Sequence, residues 1–402
     1  MGQLVFGGCV ALTPNQNVLH CRVCGGEFKD YLPDHLEAMH SLTVEAYLDK
    51  FPGAATMSQR LQDRFAALKV PARKLPTPLN QLTVTFANIK FPVNTDVPEE
   101  VCLPFPDNYR CPRHGALGED VQHASISLKF RRSIYVWGMP GTGKDALFHA
   151  WSYQTRTPAI IRQVKPGTDV ESWFFSRGFN QEGTIWEEGE VLKALRDGFL
   201  TSTGRRIPYM VLITDFDRAD RDQAEHLRLI TDSIMGRVDG PAGRIYKVMP
   251  GTLIVATANT AGGGDERGRM ISANPLDASL LDRFERKIMF HYMSWDDEGP
   301  VVRAKFADFF TKFTTAEGKC REVTKALRDA VKQGELHAEF SHRALCHILS
   351  HASDIVEANT NKQLPPNLLG VAARVWVDGL PDEENRLAAR RLMDPHFGSL
   401  DV

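Results

Sequence analysis

Seven consecutive residues, 138–144, have the types and spacing of a loop that binds phosphate. They read Gly-Met-Pro-Gly-Thr-Gly-Lys, which fits the pattern G-x-x-x-x-G-K, and they lie between a predicted strand and a predicted helix over 145–153. In such a loop, glycines let backbone N–H groups curl around phosphate oxygens, the helix N-terminus adds partial positive charge, and the lysine reaches the β- and γ-phosphates. The pattern predicts a nucleotide-binding loop formed by Gly138, Pro140, Gly141, Thr142, Gly143, Lys144, Asp145 and Ala146.

Acidic and amide side chains follow two apolar runs further along the chain. Tyr209–Thr214 is typical of a buried strand, and Asp215 and Asp217 come directly after it. A second run of this kind, Thr252–Ala258, is followed by Asn259. Carboxylates in such positions organise Mg²⁺ and activate water, which is the chemistry of phosphoryl transfer. We therefore expect these residues to complete a site for ATP and magnesium.

Four residues near the N-terminus have the spacing of a structural zinc site: Cys21, Cys24, His35 and His40. The pattern Cys-x2-Cys-x10-His-x4-His is a cysteine knuckle followed by two histidines on a predicted helix. Four protein ligands close the tetrahedron and leave no open position, so the zinc would be structural. Phe28 is expected to be the aromatic residue of its small core. The alternative is a reduced Cys-x-x-Cys pair with two surface histidines.

A second set of potential metal ligands has looser spacing: Cys102, Cys111, His114 and His123. The region around these residues is interrupted by prolines, so we expect them to be separate residues rather than a second metal site. Three further cysteines are expected to be ordinary reduced thiols: Cys9, Cys320 and Cys346.

The elements that position these residues follow from the apolar pattern. From about residue 132, β-rich runs alternate with helical stretches: Ser133–Trp137, Ala159–Val164, Tyr209–Thr214, Thr252–Ala258 and Lys287–Tyr292. Continuous apolar strands separated by helices predict an α/β domain with a parallel five-stranded sheet covered on both faces. After Ser294 the strands stop, and apolar residues at helical spacing predict a small helical domain.

The chain therefore divides into four predicted parts. Residues 1–55 are the zinc finger, and 56–115 are a helical segment with a basic surface followed by a connector. Eight prolines between Pro71 and Pro112 support this connector, because proline fixes φ and removes a hydrogen-bond donor. Residues 116–294 are the α/β nucleotide-binding domain, and 295–402 are a helical lid.

Composition limits the class of protein. The chain has 402 residues, of which 43% are hydrophobic and 24% are charged, and its formal net charge is -2. A basic field over the whole chain, of the kind that binds nucleic acid indiscriminately, is absent. No run of about 18 apolar residues occurs, so no membrane span is expected. The N-terminus has no basic region typical of a secretion signal, and we expect a cytoplasmic protein of bacterial or bacteriophage type.

The order of these motifs resembles that of the AAA+ ATPases, and within them the MoxR branch, which includes the ATPase subunit of cobaltochelatase. The resemblance covers roughly residues 100–360 and rests on VWGMPGTGKD, GTIWEEGEVLKAL, TDFDRAD, LIVATANTAGGGD, LLDRF and FSHRAL. It implies an AAA+ core of the P-loop NTPase type with a helical C-terminal lid. It also implies that Asn259 positions the attacking water as sensor 1. The arginine finger would be Arg283, with Arg286 as the alternative, and sensor 2 would be Arg343.

An arginine finger that reaches the neighbour's γ-phosphate implies a ring, because each site is then completed by the next subunit. Six subunits are usual in the family, and relatives in this branch work with a partner that carries a von Willebrand factor A domain. We therefore expect a homo-oligomeric ring, by resemblance a hexamer, that uses ATP hydrolysis to remodel a protein partner.

Two positions depart from the family pattern. Asp145 stands where the loop usually has Ser or Thr, and Thr214 stands where the strand usually ends in a magnesium-organising Asp, so that Asp215 takes the place of the catalytic Glu. An unpaired carboxylate about 4 Å from a phosphate charge costs about 4 kcal/mol at an effective dielectric of 20. Our hypothesis is that Asp145 and Thr214 face each other and have exchanged roles beside the metal. Because Asp215 is one methylene shorter than Glu, we also expect a slow ATPase. The alternatives are a degenerate site, and a shifted register with Asp215 as magnesium ligand and Asp217 as base.

The segment Glu27–Phe51 also resembles the bacterial Ros/MucR type of zinc finger. Between Cys21 and Lys50 there are three basic and six acidic residues, so this module supplies little phosphate neutralisation. A DNA-associated motor or loader is therefore only the first alternative function and not the main prediction. It would have to use the basic residues downstream: Arg60, Arg64, Lys69, Arg73 and Lys74. The second alternative is a ring scaffold that binds nucleotide without hydrolysing it.

Overall fold

The computed structural model describes residues 18–29, 32–40, 42–58, 82–180, 183–264, 273–359 and 364–400. The chain divides at residue 80 into two compact units, and each has a hydrophobic core of its own. The downstream basic residues that a DNA-binding function would use lie outside the described residues. No helix within the described ranges is both long and apolar enough to cross a membrane.

The N-terminal unit is a short hairpin followed by two helices. Its elements are β1 (Val18–His20), β2 (Glu27–Lys29), α1 (Pro33–His40) and α2 (Val44–Lys50). The two strands pair antiparallel. The Thr43 side chain accepts a hydrogen bond from the N–H of Ala46 and so caps α2. The buried core of this unit consists of Leu19, Cys21, Leu32, Leu36 and Tyr47.

The second unit alternates strands and helices before its helical end. Its strands are β3 (Thr83–Phe86), β4 (Ile89–Pro92), β5 (Ile134–Trp137), β6 (Ala159–Gln163), β7 (Phe175–Asn180), β8 (Gly183–Glu188), β9 (Phe199–Leu200), β10 (Arg206–Ile207), β11 (Met210–Thr214), β12 (Arg237–Asp239), β13 (Ile245–Lys247), β14 (Leu253–Ala258) and β15 (Arg286–Met289). Its helices are α3 (Gly115–Lys129), α4 (Lys144–Thr155), α5 (Glu190–Asp197), α6 (Arg221–Ile234), α7 (Ala278–Asp282), α8 (Trp295–Lys305), α9 (Ala307–Lys312), α10 (Ala316–Gln333), α11 (His342–Ala358), α12 (Leu368–Asp378) and α13 (Glu383–Phe397).

Five strands form one parallel sheet in the order β15-β5-β14-β11-β6. Alternate residues of a strand point to opposite faces. Val211 and Ile213 of β11 accordingly belong to one buried cluster, and Met210 and Leu212 belong to the other. Every residue of β11 and β14 is buried because both faces of the sheet are covered. The predicted α/β fold with a parallel five-stranded sheet is confirmed.

The stretch 82–112 differs from the connector that the prolines predict. β3 and β4 form an antiparallel hairpin. Phe86 and Phe91 of this hairpin are buried in the cluster that contains Leu117 of α3 and Trp151 of α4. Burying a phenylalanine side chain contributes about 1.5–3 kcal/mol. Two such side chains are enough to hold a short hairpin against the core despite the surrounding prolines.

Helices α8–α13 form the predicted helical domain at the C-terminal end of the chain. Its core is a separate buried cluster that includes Val302, Phe309 and Phe310. The apolar residues between Val302 and Phe313 are divided between two helices, because Phe306 has φ -118° and ψ 40° and interrupts the helical backbone. We call this domain the lid.

Candidate functional site

The loop 138–143 joins the end of β5 to the start of α4. Gly138 has φ +153°, and a Cβ atom there would lie 2.3 Å from the carbonyl oxygen of Phe290. Gly141 has φ +77°, and a Cβ atom there would lie 2.7 Å from the Cβ atom of Ser341. Only glycine fits both these backbone angles and this space. The glycines therefore let the loop pack between the end of the sheet and the start of α11 in the lid.

Lys144 begins α4, and its ammonium group lies over the loop. Its Nζ donates hydrogen bonds to the carbonyl oxygens of Gly138 at 2.7 Å and Met139 at 3.1 Å. It also donates to Oδ1 of Asn259 at 3.3 Å. Burial lowers the pKa of Lys144, and three nearby carboxylates oppose that shift: those of Asp145, Asp217 and Asp215. The predicted phosphate-binding lysine and the predicted sensor 1 amide are thus in direct contact.

Asp217 lies in the turn after β11 and is completely buried. Its Oδ2 accepts hydrogen bonds from the N–H of Asn259 at 3.0 Å and from the N–H and hydroxyl of Thr260, both at 2.8 Å. Its Oδ1 has no hydrogen-bond partner among the described residues. Asp217 therefore holds the loop that carries Asn259, which suits a positioning role better than the role of base in the shifted register.

Asp215 is the more exposed of the two acids after β11. Its φ of 54° and ψ of 40° place it in the left-handed region. One of its carboxylate oxygens accepts a hydrogen bond from the side-chain amide of Gln163 at 2.6 Å. A quarter of the side chain, 25%, is exposed. Asp215 therefore offers a carboxylate at the carboxyl edge of the sheet, where ligands of α/β proteins bind.

Asp145 has a hydroxyl partner that the sequence pattern did not name. The hydroxyl that contacts Asp145 is that of Thr257, which donates to its Oδ1 at 2.7 Å, and not that of Thr214. β14 is the neighbour of β5 in the sheet, and β11 is one strand further away. Thr257 therefore comes closer to the loop that follows β5. Ile213 of β11 pairs with Ala256 of β14. Thr214 and Thr257 are the next residues of these two strands, so they are neighbours across the sheet.

A cavity of about 150 Å³ lies beside the loop. Its walls include Gly141, Thr142 and Gly143 of the loop, the segment 106–112, and His342 of the lid. The cavity is therefore positioned to take a base next to a phosphate-binding loop.

His342 connects this cavity to a buried charged group in the lid. Its Nδ1 lies 3.0 Å from Oε1 of Glu298, and its Nε2 lies 3.4 Å from Sγ of Cys346. Burial lowers the pKa of His342, but the contacts with Cys346 and Glu298 outweigh this and raise the pKa to about 9. Arg343, the predicted sensor 2, follows in the first turn of α11 with an exposed side chain.

The two candidate arginine fingers lie near the end of the sheet furthest from β6. Arg283 pairs with Asp232, and it donates to the hydroxyl of Thr231 at 2.9 Å. Arg286 is exposed and donates to the carbonyl oxygen of Glu285 at 2.8 Å. Both roles concern a neighbouring subunit and stay predictions.

Several residues of the site were not singled out from the sequence. A sequence feature could have identified Thr257, because it is a hydroxyl residue within an otherwise apolar strand. Gln163 could have been identified because it ends a predicted parallel strand. His342 could have been identified because it is part of the FSHRAL motif. No sequence pattern could have identified Glu298, because its importance comes from burial between two helices of the lid.

Residues 133–284 match the sequence profile of the AAA domain (dynein-related subfamily). This range contains the glycine-rich loop and four of the five strands of the parallel sheet. The profile and the sheet agree on the fold. The chain carries an AAA+ P-loop NTPase domain. The profile does not distinguish the MoxR branch within this AAA+ domain, so membership of that branch stays a prediction.

Solved structures resemble the chain only distantly. A point mutant of RuvB from Thermotoga maritima is 12% identical with a TM-score of 0.41, over 76% of each chain. RuvB of the same organism, a Holliday junction branch migration motor, is 14% identical with a TM-score of 0.39, over 66% of this chain and 71% of that one. An inferred ATPase from Cytophaga hutchinsonii is 15% identical with a TM-score of 0.32, over 68% and 92%. Similarity at this level does not extend to function. No curated protein sequence matches the chain.

The N-terminal unit brings its four predicted metal ligands together. The ligand atoms of Cys21, Cys24, His35 and His40 all lie within 4.8 Å of one another. Sγ of Cys24 is 3.3 Å from Nε2 of His35, which is 3.0 Å from Nε2 of His40. The ring of Phe28 packs on His35 with 4.1 Å between centroids. Two sulfur and two imidazole ligands at such separations suit a tetrahedral zinc ion.

The second, looser set of Cys and His residues does not form a comparable group within the described ranges. His114 pairs with Asp297 at 2.7 Å. Cys102 donates to the carbonyl oxygen of Pro98, and Cys111 donates to that of Pro112. Burial raises the pKa of Cys102 to about 11, so this thiol stays protonated near neutral pH.

Proposed function

We propose that this chain is an ATPase that binds ATP with magnesium at the loop 138–145 and hydrolyses it slowly. The observation that carries the proposal is the contact between Lys144 and Asn259 within a group of carboxylates at the carboxyl edge of the sheet. A phosphate-binding lysine, a polar residue that can orient water and an acid that can accept a proton are the parts that phosphoryl transfer requires. The cavity beside the loop supplies a place for the base.

In this proposal, the N–H groups of the loop and the ammonium of Lys144 bind the β- and γ-phosphates. In this structure, Lys144 donates to carbonyl oxygens of its own loop. Its hydrogen bonds to phosphate oxygens would replace those bonds. Burial makes the lysine less well solvated, so the exchange to a charged partner is favourable.

The oxygen donors near the loop fit Mg²⁺, which prefers carboxylate and hydroxyl oxygen. Asp145 would hold the ion, and the ion would neutralise charge that develops on the phosphates. The hydroxyl of Thr257 orients the Asp145 carboxylate. The carboxylate–hydroxyl exchange inferred from the sequence therefore takes a new form, in which Thr257 is the partner of Asp145 and Thr214 lies beside it.

Asp215 would accept the proton of the attacking water, and Asn259 would orient that water. Asp217 would keep Asn259 in position through the three hydrogen bonds on its Oδ2. Because Asp is one methylene shorter than Glu, the water must approach closer, and we expect slow turnover.

The test is ATP turnover at several protein concentrations, with Lys144→Ala compared with Lys193→Ala. Lys193 is an exposed lysine on α5 and serves as the matched control. Turnover that is lost in Lys144→Ala and kept in Lys193→Ala supports the ATPase. Nucleotide-dependent assembly without turnover in the wild type would instead support the non-hydrolysing scaffold.

We also propose that the N-terminal unit binds one structural zinc ion through Cys21, Cys24, His35 and His40. The matched pair of variants is His35→Asn and His20→Asn, since His20 is an exposed histidine of the same unit outside the cluster. We expect about one zinc per chain in the wild type and in His20→Asn, and loss of zinc in His35→Asn. Equal zinc content in all three proteins would contradict the site.

The proposal extends to a homo-oligomeric ring, a hexamer by resemblance, that remodels a protein partner, with a von Willebrand factor A domain protein as the first partner to examine. Arg286 and Arg343 have exposed side chains, which a neighbouring subunit could meet. Sedimentation with a non-hydrolysable ATP analogue measures the assembly. Salt-dependent DNA binding by the full chain, with a slope of several phosphates, would instead favour the DNA-associated motor.

A further inference from the structure

A second cleft lies on the lid side of the loop. It has a volume of about 680 Å³, within the range of ~300–1,000 Å³ usual for ligand sites. Its apolar wall includes Met289, Met293 and Trp295, between the end of the sheet and the lid. It shares Thr142, Phe290 and Met293 with the nucleotide cavity, so the two spaces lie back to back.

The opposite wall of this cleft is a basic face of α10. Its four cations recur at spacings of four, three and four residues, which places them on one side of a helix: Arg321, Lys325, Arg328 and Lys332. Lys332 lies 3.7 Å from Asp329. Within the described part of the chain, Arg321 and Lys325 have no acidic partner and are exposed. The lining of the cleft therefore has four cations and two carboxylates, those of Asp329 and of Glu339, which accepts a hydrogen bond from the hydroxyl of Tyr292 at 3.0 Å, so it carries net positive charge.

The wall between these cations also contains an unpaired hydroxyl. Thr324 lines the cleft and is only 2% exposed. Its Oγ1 has no hydrogen-bond partner among the described residues, and the same is true of Oγ of Ser294 at the other side of the cleft. Buried hydroxyls are normally hydrogen-bonded, so two unpartnered hydroxyls in one cleft indicate a place for a polar group of a ligand.

We propose that this cleft binds a small anion with an apolar body, and that the site is coupled to the nucleotide cavity through Arg328, Glu298 and His342. A carboxylate, phosphate or sulfonate group would meet Arg321 and Lys325 and accept from the hydroxyl of Thr324. The apolar body would lie against Met289, Met293 and Trp295. The binding site itself does not depend on the proposed ATPase function, whereas the coupling does.

Three residues form the physical connection, with the buried Glu298 between the other two. Arg328 lines the cleft and donates to both oxygens of Glu298, at 2.7 and 2.9 Å. Glu298 is completely buried and also contacts Nδ1 of His342, which lines the nucleotide cavity. Burial alone would raise the pKa of Glu298, but the hydrogen bonds from His342 and Arg328 keep it lowered. An anion that attracts Arg328 weakens its hold on Glu298 and so changes the position of His342 at the nucleotide.

The binding step is tested with 1-anilinonaphthalene-8-sulfonate, an aromatic anion, added to the full chain without nucleotide. The variant is Arg321→Glu with Lys325→Glu, and the control is Lys319→Glu with Arg303→Glu, which reverses two charges of the lid outside the cleft. We expect the affinity to fall about tenfold in the cleft variant and to stay within about twofold in the control. Unchanged affinity in the cleft variant, or an equal loss in the control, would overturn the site.

The coupling is tested by the affinity for a fluorescent ATP analogue with and without the sulfonate. We expect a change of about fivefold or more in the wild type, and an equal change in sulfonate affinity when nucleotide is added, because coupling is reciprocal. Glu298→Gln should abolish this change. Arg328→Lys, which keeps the charge but cannot bind both carboxylate oxygens in the same way, is the second variant in case the first does not fold.

The outcomes separate the two proposals. Sulfonate binding that depends on Arg321 and Lys325, in a chain that binds no nucleotide, would keep the cleft and reject the ATPase. Nucleotide binding that is indifferent to the sulfonate, in a chain that binds both, would reject the coupling.

Discussion

The N-terminal Cys/His cluster and the proposed nucleotide site are built in opposite ways. The four residues of the cluster lie within twenty positions of one another, on a hairpin and the helix that follows it. The nucleotide site combines residues from β5, β11 and β14, and the lid adds one more at His342. Local spacing decides which residues meet in the first site, whereas the strand order of the sheet decides it in the second.

The difference shows in what each motif could predict. The Cys/His spacing named all four ligand candidates, and the structure brings those four together. The motifs of the nucleotide site named most of its parts but not Thr257, whose hydroxyl contacts Asp145. The strand order β15-β5-β14-β11-β6 places β14 rather than β11 beside the loop strand, so Thr257 reaches Asp145 first.

The largest expected effect comes from disrupting the N-terminal Cys/His cluster alone. Removal of zinc by a chelator should unfold the N-terminal unit, because structural zinc supplies about 10–16 kcal/mol in zinc-finger peptides. Hydrogen exchange should show lost protection over residues 18–58 and none over 82–400. ATP turnover should stay within about twofold, since each unit has a hydrophobic core of its own. A parallel loss of turnover would show that the two regions are not separate.

The second effect comes from a substitution that disrupts the proposed nucleotide site alone. Lys144→Ala should lower ATP turnover by about 100-fold or more, as removal of one preorganised electrostatic contact commonly does. Zinc content and the exchange protection of the N-terminal unit should not change. If turnover is retained, Lys144 does not act on the phosphates.

The third effect concerns the link between β11 and β14. Asp217→Asn should destabilise the second unit by about 2 kcal/mol, because a buried charged acceptor of three hydrogen bonds is weakened. Thermal unfolding measures the stability, and turnover should fall with it because the Asn259 loop loses its support. Asp239→Asn, at an exposed acid, is the control and should leave both quantities unchanged.

The fourth effect tests which hydroxyl, that of Thr257 or that of Thr214, is the functional partner of Asp145. Thr257→Val should reduce turnover about tenfold, which corresponds to the loss of about one hydrogen bond to a charged group. Thr214→Val should have the smaller effect. The opposite ranking would restore Thr214 as the partner that the sequence suggested.

The smallest effect is a dependence of lid stability on pH. The pKa of His342 is about 9 in the folded chain, above its ordinary value of 6.5. A raised pKa means that the stabilising contribution is complete below pH 6.5 and is lost as the pH rises towards and through 9. The difference in melting temperature between the wild type and His342→Gln should therefore shrink over this interval. A constant difference would show that the charge of His342 is not what stabilises the lid.

The sequence by itself determined the parts of this protein that depend on local pattern. The apolar runs predicted the five parallel strands, the glycines and Lys144 marked the loop, and the Cys/His spacing marked the cluster. These features are readable because a strand, a turn or a short metal knuckle is specified by residues close together in the chain.

Tertiary structure decided the rest. It paired Asp145 with Thr257, placed Asp217 under the Asn259 loop and packed Phe86 and Phe91 of the expected connector onto the core. It also buried Glu298 between Arg328 and His342, which no local pattern indicated. Each of these contacts joins residues more than twenty positions apart, so strand order and helix packing, rather than spacing along the chain, determine which side chains meet.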